Sequence, residues 1–238
     1  MARMLVIGAA VVLGAVAAAT TAAAATASPW SMCRIKPALA ASKLQIPTIR
    51  DDIKDLTDFA SAEFFQRDNQ IFFTIEGDKA RSELRFFNQW RVTNATEQKM
   101  LGLLELGPAA PGVLRYTWMQ IHGGRLAGEP LLRLAWMHKK SIGGVTYRDA
   151  LFAVVRLNTG HDGGNVRNVY LGQRPDGPFQ AEVTVKNSIM TVKINCQTLM
   201  NDDVSYWSPY DNYFKAGVYI QASEKPVTVT YHDLRVYP

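Results

Sequence analysis

From Ile71 to the end of the chain, apolar and polar residues exchange places at every second position, in one short segment after another. IFFTIEG, ARSELRFFN, LRYTWMQIH, LLRLAWM, YRDALFAVVRLN, NVYLG, FQAEVTVKN, IMTVKIN, YFKAGVYIQ and VTVTYHDLRVY all follow this rule. A period of two matches the pleat of a β-strand, whereas a helix buries every third or fourth residue. The joins GPAAPG, HDGG and RPDGP are rich in the residues that end strands. FQAEVTVKNSIMTVKINCQ reads as a hairpin about Asn187-Ser188. Only TIRDDIKDLTDFASAEF, residues 48–64, leaves room for a short helix, and a loop fits it equally well. About ten strands with so little helix predict an all-β domain, either a two-sheet sandwich of jelly-roll type or a barrel.

The first 27 of the 238 residues do not share this pattern. Arg3, an alanine-rich apolar run and the small residues Ala25-Thr26-Ala27 have the layout of a secretory signal peptide. The run is shorter than the roughly 20 strongly apolar residues that span a bilayer. The expectation is therefore a signal peptide over 1–27, a single domain over 28–238, a secreted product and no membrane partner. A formal net charge of +5, one unit less without Arg3, suits a polyanionic partner. No Lys/Arg block marks a nucleic-acid arm, so no nucleic-acid partner is expected. In an oxidising compartment Cys33 and Cys196 could form a disulfide, the favoured reading, or remain as two buried thiols. Two cysteines without histidine partners predict no zinc site.

Three strands carry polar groups in phase. In YFKAGVYIQ, residues 213–221, Tyr213, Lys215, Gly217, Tyr219 and Gln221 share one face and leave Phe214, Ala216, Val218 and Ile220 to the core. RSELR places Arg81, Glu83 and Arg85 together, and QIH places Gln120 with His122. Taken alone, RSELR reads more readily as a solvated strand face with cross-strand ion pairs, and His122 as a hydrogen-bonded structural histidine. Together they suit β-elimination on a 1,4-linked polyuronate. That reaction needs the C5 carboxylate neutralised, a base for the C5 proton and an acid for the departing O4. Arg81 and Gln120 could stabilise the enolate dianion, with Glu83 holding the arginines in place. Neutral His122 could act as base, and Tyr219 as acid or, as a phenolate beside Lys215, as base. No metal or cofactor is needed. A glycoside hydrolase needs two carboxylates across the scissile bond; Glu76 and Asp78 could share a face, but ordinary solvated charge explains them better. A non-catalytic carbohydrate-binding jelly roll is the other alternative, although it has no use for a phased His/Tyr pair.

In their order and spacing, RSELR, QIH and YFKAGVYIQ resemble the signature blocks of the polysaccharide lyase family 7 alginate lyases. The resemblance implies a concanavalin A-like β-jelly roll of two antiparallel sheets, with the substrate groove on the concave sheet. It also implies a monomer that cleaves alginate internally without a cofactor. Arg81 and Gln120 would neutralise the carboxylate, His122 would take a proton, and Tyr219 would act as acid or as both acid and base. Arg85, Lys215 and Gln221 would bind the sugar chain, supported by Tyr213. Ile220 stands where the family often has Asn, on the face turned from the groove. Ile121 accompanies acceptance of guluronate in the family, and it too faces the core. Another polyuronate, such as glucuronan, meets the same chemical requirements. HDGGNVRN, residues 161–168, is either a lid at the groove or a plain connection, and His138, His161 and His232 have no partners in phase.

Overall fold

The computed structural model describes residues 27–47, 49, 51–158 and 165–238. The signal peptide, except Ala27, and residues 161–164 of the candidate lid lie outside the described residues. The strands in chain order are β1 (Ser42–Gln45), β2 (Phe64–Arg67), β3 (Gln70–Ile75), β4 (Arg81–Phe86), β5 (Trp90–Arg91), β6 (Gln98–Leu106), β7 (Arg115–Gly123), β8 (Pro130–Ile142), β9 (Val145–Arg156), β10 (Val166–Gln173), β11 (Phe179–Lys186), β12 (Ile189–Ile194), β13 (Gln197–Asp203), β14 (Asp211–Ala222) and β15 (Val227–Tyr237). Among the described residues helix is confined to α1 (Lys36–Ala40) and two single 3-10 turns. The described part of 48–64 before β2 is a loop, tied to β1 by a bridge between Ile53 and Leu44.

Two antiparallel sheets face each other. One runs β1-β4-β14-β7-β8-β9-β10, with β5 also on β14, and the other runs β13-β12-β11-β6-β15-β3-β2. This is the jelly-roll sandwich that the alternation allowed, and not a barrel. The apolar face of each strand meets the other sheet. Trp118 of β7 packs edge-on against Phe179 of β11, with ring centroids 5.6 Å apart. Within the second sheet Phe73 of β3 packs against Tyr231 of the neighbouring β15 at 5.5 Å, on the face turned to the core. Truncating a buried ring of this kind costs about 3–5 kcal/mol, so these contacts fix which face of each strand is left outside. Asn187 and Ser188 both have positive φ and join Lys186 to Ile189, the hairpin expected from sequence.

Gly217 does not lie in line with the polar face of β14, as strict alternation predicted. Its φ is +140°, and a Cβ there would stand 2.3 Å from the Ser82 carbonyl oxygen and 3.0 Å from the Phe73 ring. Only glycine fits. Between Ala216 and Tyr219 the pairing with β7 shifts by one residue, a β-bulge that bends the strand. Buried Tyr231 anchors it, accepting the Gly217 N–H at 3.3 Å and donating to the Trp118 carbonyl.

The expected disulfide is not formed. Cys33 and Cys196 are both free and exposed. Cys33 lies in a pocket with Leu234–Tyr237 of β15, whereas Cys196 is at the turn between β12 and β13. From β12 to β15 is three strand spacings of about 4.8 Å, well beyond the roughly 7 Å Cα separation that a disulfide spans.

Candidate active site

The outer face of the eight-stranded sheet is built in rows by strand register. Arg85 pairs with Lys215, Lys215 with Gln120, and Gln120 with Arg133. The neighbouring row runs from Arg81 through Tyr219 to Thr117, and the shift at Gly217 sets that pairing. His122 and Tyr213 form the row at the other end. Arg81, Gln120, His122 and Tyr219, from three different strands, line one cavity of about 250 Å³ with Gly128, Glu129, Pro130, Arg133 and Arg156.

His122 is held on several sides. Its Nδ1–H donates to the Gly123 carbonyl at 2.8 Å, and the Tyr213 hydroxyl lies 3.1 Å from the same nitrogen. A carbonyl can only accept, so the proton sits on Nδ1 and Nε2 keeps its lone pair. Gly123 is crowded by Ala127 and by the Glu129 carbonyl, which a Cβ would meet at 2.4 and 2.7 Å; the tight return of the chain here requires glycine. The Tyr213 ring stacks on the imidazole at 5.2 Å, and the Arg85 guanidinium lies 4.2 Å from the Tyr213 centroid. Burial pulls the His122 pKa down to about 4, with nearby Lys215 and Arg133 acting in the same direction. The imidazole is therefore neutral at pH 7, as a general base must be.

Glu83 and Lys215 are not on the groove surface where the sequence placed them. Both side chains are 1% exposed and pair at 2.5 Å beneath the floor. The other Glu83 oxygen accepts from the Gln120 amide. Glu83 thus braces β14 and β7 against β4 and pairs with neither arginine of RSELR. Burial lowers the Lys215 pKa, and its ion pair with Glu83 opposes that shift. The cation beside Tyr219 is Arg81, 4.8 Å from the ring centroid, and not Lys215 as expected. Gln221 accepts from the Thr117 hydroxyl at 2.6 Å, which leaves its amide N–H groups for other partners. Glu76 and Asp78 are exposed on the β3–β4 connection and are not part of the cavity.

Sequence reasoning missed Arg133, Arg156 and Glu129, the last two joined as an ion pair at the cavity wall. A signal was present, since Arg133 is the one charge inside the apolar run LLRLAWM. Among the described residues no group of three or more His, Cys, Asp or Glu side chains is placed to hold a metal ion.

Known structures share this architecture. Alginate lyase AlyC3 in complex with dimannuronate superposes with a TM-score of 0.80 at 19% identity, over 89% of this chain and 94% of that one. Alginate lyase A1-II', a member of polysaccharide lyase family 7, gives 0.71 at 20% identity over 89% and 98%. Alginate lyase PA1167 from Pseudomonas aeruginosa gives 0.70 at 25% identity over 84% and 98%. No curated protein sequence matches the chain. The family model for alginate lyase (Alginate_lyase2) matches residues 39–238, the whole sandwich from the end of α1 onward. With this match over most of its length, the chain belongs to the alginate lyase family and is a polysaccharide lyase.

Proposed function

We propose that this lyase is secreted and cuts alginate internally by β-elimination, accepting guluronate-containing blocks, with Arg81, Gln120, His122 and Tyr219 as its catalytic groups. The observation that carries this reading is the meeting of all four in one cavity, with His122 neutral and its Nε2 unprotonated. Arg81 and the second amide N–H of Gln120 take the C5 carboxylate, so the charge that develops on it meets fixed donors. Nε2 of His122 removes the C5 proton. The electron pair forms the C4=C5 double bond and expels O4, which receives the Tyr219 hydroxyl proton. The imidazolium is then stabilised through Nδ1–H on the Gly123 carbonyl. The phenolate left on Tyr219 has Arg81 beside it.

Arg85 and Gln221 extend the polar face along the sugar chain, and Tyr213 supports both Arg85 and His122. Ile121 is fully buried, so its effect on epimer choice passes through its neighbours Gln120 and His122. Internal cleavage suits a surface built across several strands rather than a closed end. Secretion rests on the pattern of residues 1–27.

The test is ultraviolet absorbance of the unsaturated product, followed on separate mannuronate blocks, guluronate blocks and glucuronan. A rapid fall in polymer length on guluronate-containing blocks is expected. No absorbance with any uronate polymer overturns the proposal, and a rise with glucuronan alone moves the substrate to that polymer.

A further inference from the structure

Two cations in the cavity, Arg133 and Arg156, have no task in the mechanism above, and Arg133 is the one without a carboxylate partner among the described residues. Arg133 stands on β8 opposite Gln120, between the buried Leu132 and Leu134. Its Nε is buried without a hydrogen-bond partner, and no carboxylate pairs with it among the described residues. The other cations here are accounted for: Arg156 has Glu129, Lys215 has Glu83, and Arg81 lies against Tyr219. The Tyr219 phenol and, more weakly, the Glu83 carboxylate are the groups that favour the charge on Arg133, and both Glu83 oxygens are already occupied by Lys215 and Gln120. Arg115 and Arg81 add like charge. Beyond Arg133 lie Ala135, Phe152 and Val154, a small apolar cluster without an acid. A guanidinium stays protonated, so the fold keeps a partly buried positive charge with no carboxylate of its own, at a cost in stability.

We infer that Arg133 binds the carboxylate of the uronate residue next to the one that loses its C5 proton. The inference rests on the proposed uronate lyase function. The groups that act on the reacting sugar come from β4, β14 and β7, and Arg133 lies one strand further along. A strand spacing is about 4.8 Å, close to the length of one sugar unit, so a chain lying across the strands carries its next carboxylate toward β8. The planar fork of Arg133 suits a carboxylate held by two parallel hydrogen bonds.

The experiment compares wild type with Arg133→Met and Arg133→Lys, using steady-state kinetics on alginate at several salt concentrations and thermal unfolding of each protein. Arg133→Met should raise KM about ten- to a hundredfold while kcat stays within about threefold, as expected for one lost charge-assisted pair. Its KM should depend less on salt, and its melting temperature should equal or exceed that of wild type. Arg133→Lys should fall between the two, since it keeps the charge and loses the fork. A KM within about twofold of wild type, a loss confined to kcat, or a lowered melting temperature in Arg133→Met overturns the inference. A wild type inactive on every uronate polymer overturns the lyase reading as well, whereas an active wild type with an unmoved Arg133→Met overturns this inference alone.

Discussion

Two carboxylates, one on each sheet, sit in nearly the same local arrangement. Glu83 on β4 is held by Lys215 of β14 and by Gln120 of β7. Glu182 on β11 is held by Lys99 of β6 at 3.0 Å and by Lys193 of β12 at 2.9 Å. Both bridge three strands, and both belong to an alternating sequence. Their depth separates them. Glu83 and Lys215 are each 1% exposed, whereas Glu182 is 11% exposed and its lysines 28% and 37%. The first network lies under a catalytic floor and orders it. The second lies on the outside of the sandwich, where water takes over when the pair opens. Alternation fixes which way a side chain points and says nothing of what covers it.

The largest effect is expected for Glu83→Ala. It strands the Lys215 ammonium in the interior, and breaking a buried pair in this way costs about 3–5 kcal/mol. It also frees Gln120, so turnover should fall with stability, as denaturant unfolding and product absorbance would show. Replacing both partners with apolar residues of similar volume, Glu83→Leu with Lys215→Met, should recover much of the stability and none of the activity. Recovery of activity would mean that the brace has no part in ordering the site.

Next come the groups above that floor. His122→Ala and Tyr219→Phe should each lower kcat about 10²- to 10⁴-fold, the usual worth of a positioned acid or base. Both face a cavity, so melting temperatures should stay near wild type. If Tyr219→Phe retains near-normal rates on every alginate block, its role as acid is wrong. These two variants separate catalysis from bracing, which Glu83→Ala mixes.

Much of this contrast was legible in the sequence, and the unread part has physical causes. IFFTIEG, ARSELRFFN and YFKAGVYIQ became β3, β4 and β14, because β-branched and aromatic residues dominate them, and Leu84, Phe214, Ala216, Val218 and Ile220 are buried as expected. β6 escaped notice although its burial alternates without a break. Apart from Gly102, QKMLGLLEL is made of residues that favour helices, and the sheet overrides that preference. Gln120, His122 and Tyr219 were found by their phase. Lys215 and Glu83 were found but placed too shallow, since two charges on a strand look alike in sequence whether the groove floor covers them or not. Gly217 looked like one more position in the alternation, and only the approach of Ser82 and Phe73 shows why it is glycine.

A smaller effect is expected from pH. The folded-state pKa of His122, about 4, lies below the ordinary 6.5, so between these values the unfolded chain binds a proton that the folded chain does not. Stability contributed by neutral His122 is complete above 6.5 and is lost as pH falls through that window. Activity follows the folded value, and the acid limb of kcat/KM should lie near pH 4. A limb near 6.5 would show a solvated imidazole and place His122 in the same class as the open Glu182 network.

Glu182→Ala should have the smallest effect of the series. Burial pushes this carboxyl up, but its hydrogen bonds to Lys193 and Lys99 outweigh that and leave its pKa below the usual value. The stability it provides is therefore present at neutral pH and is lost as pH falls through the folded-state value. Truncation strands nothing, because Lys99 and Lys193 both reach water and can keep their stems on the sheet with their ammonium groups outside. A loss of no more than about 1 kcal/mol is expected, as for ion pairs near a surface. For a domain of this size that is about 2–4 °C in melting temperature. In 1 M salt the Debye length is about 3 Å, and the difference from wild type should shrink. Glu83→Ala should keep its full deficit in the same salt, because its network is closed to ions. If Glu182→Ala lost as much as Glu83→Ala and ignored salt, depth would not be what distinguishes the two networks.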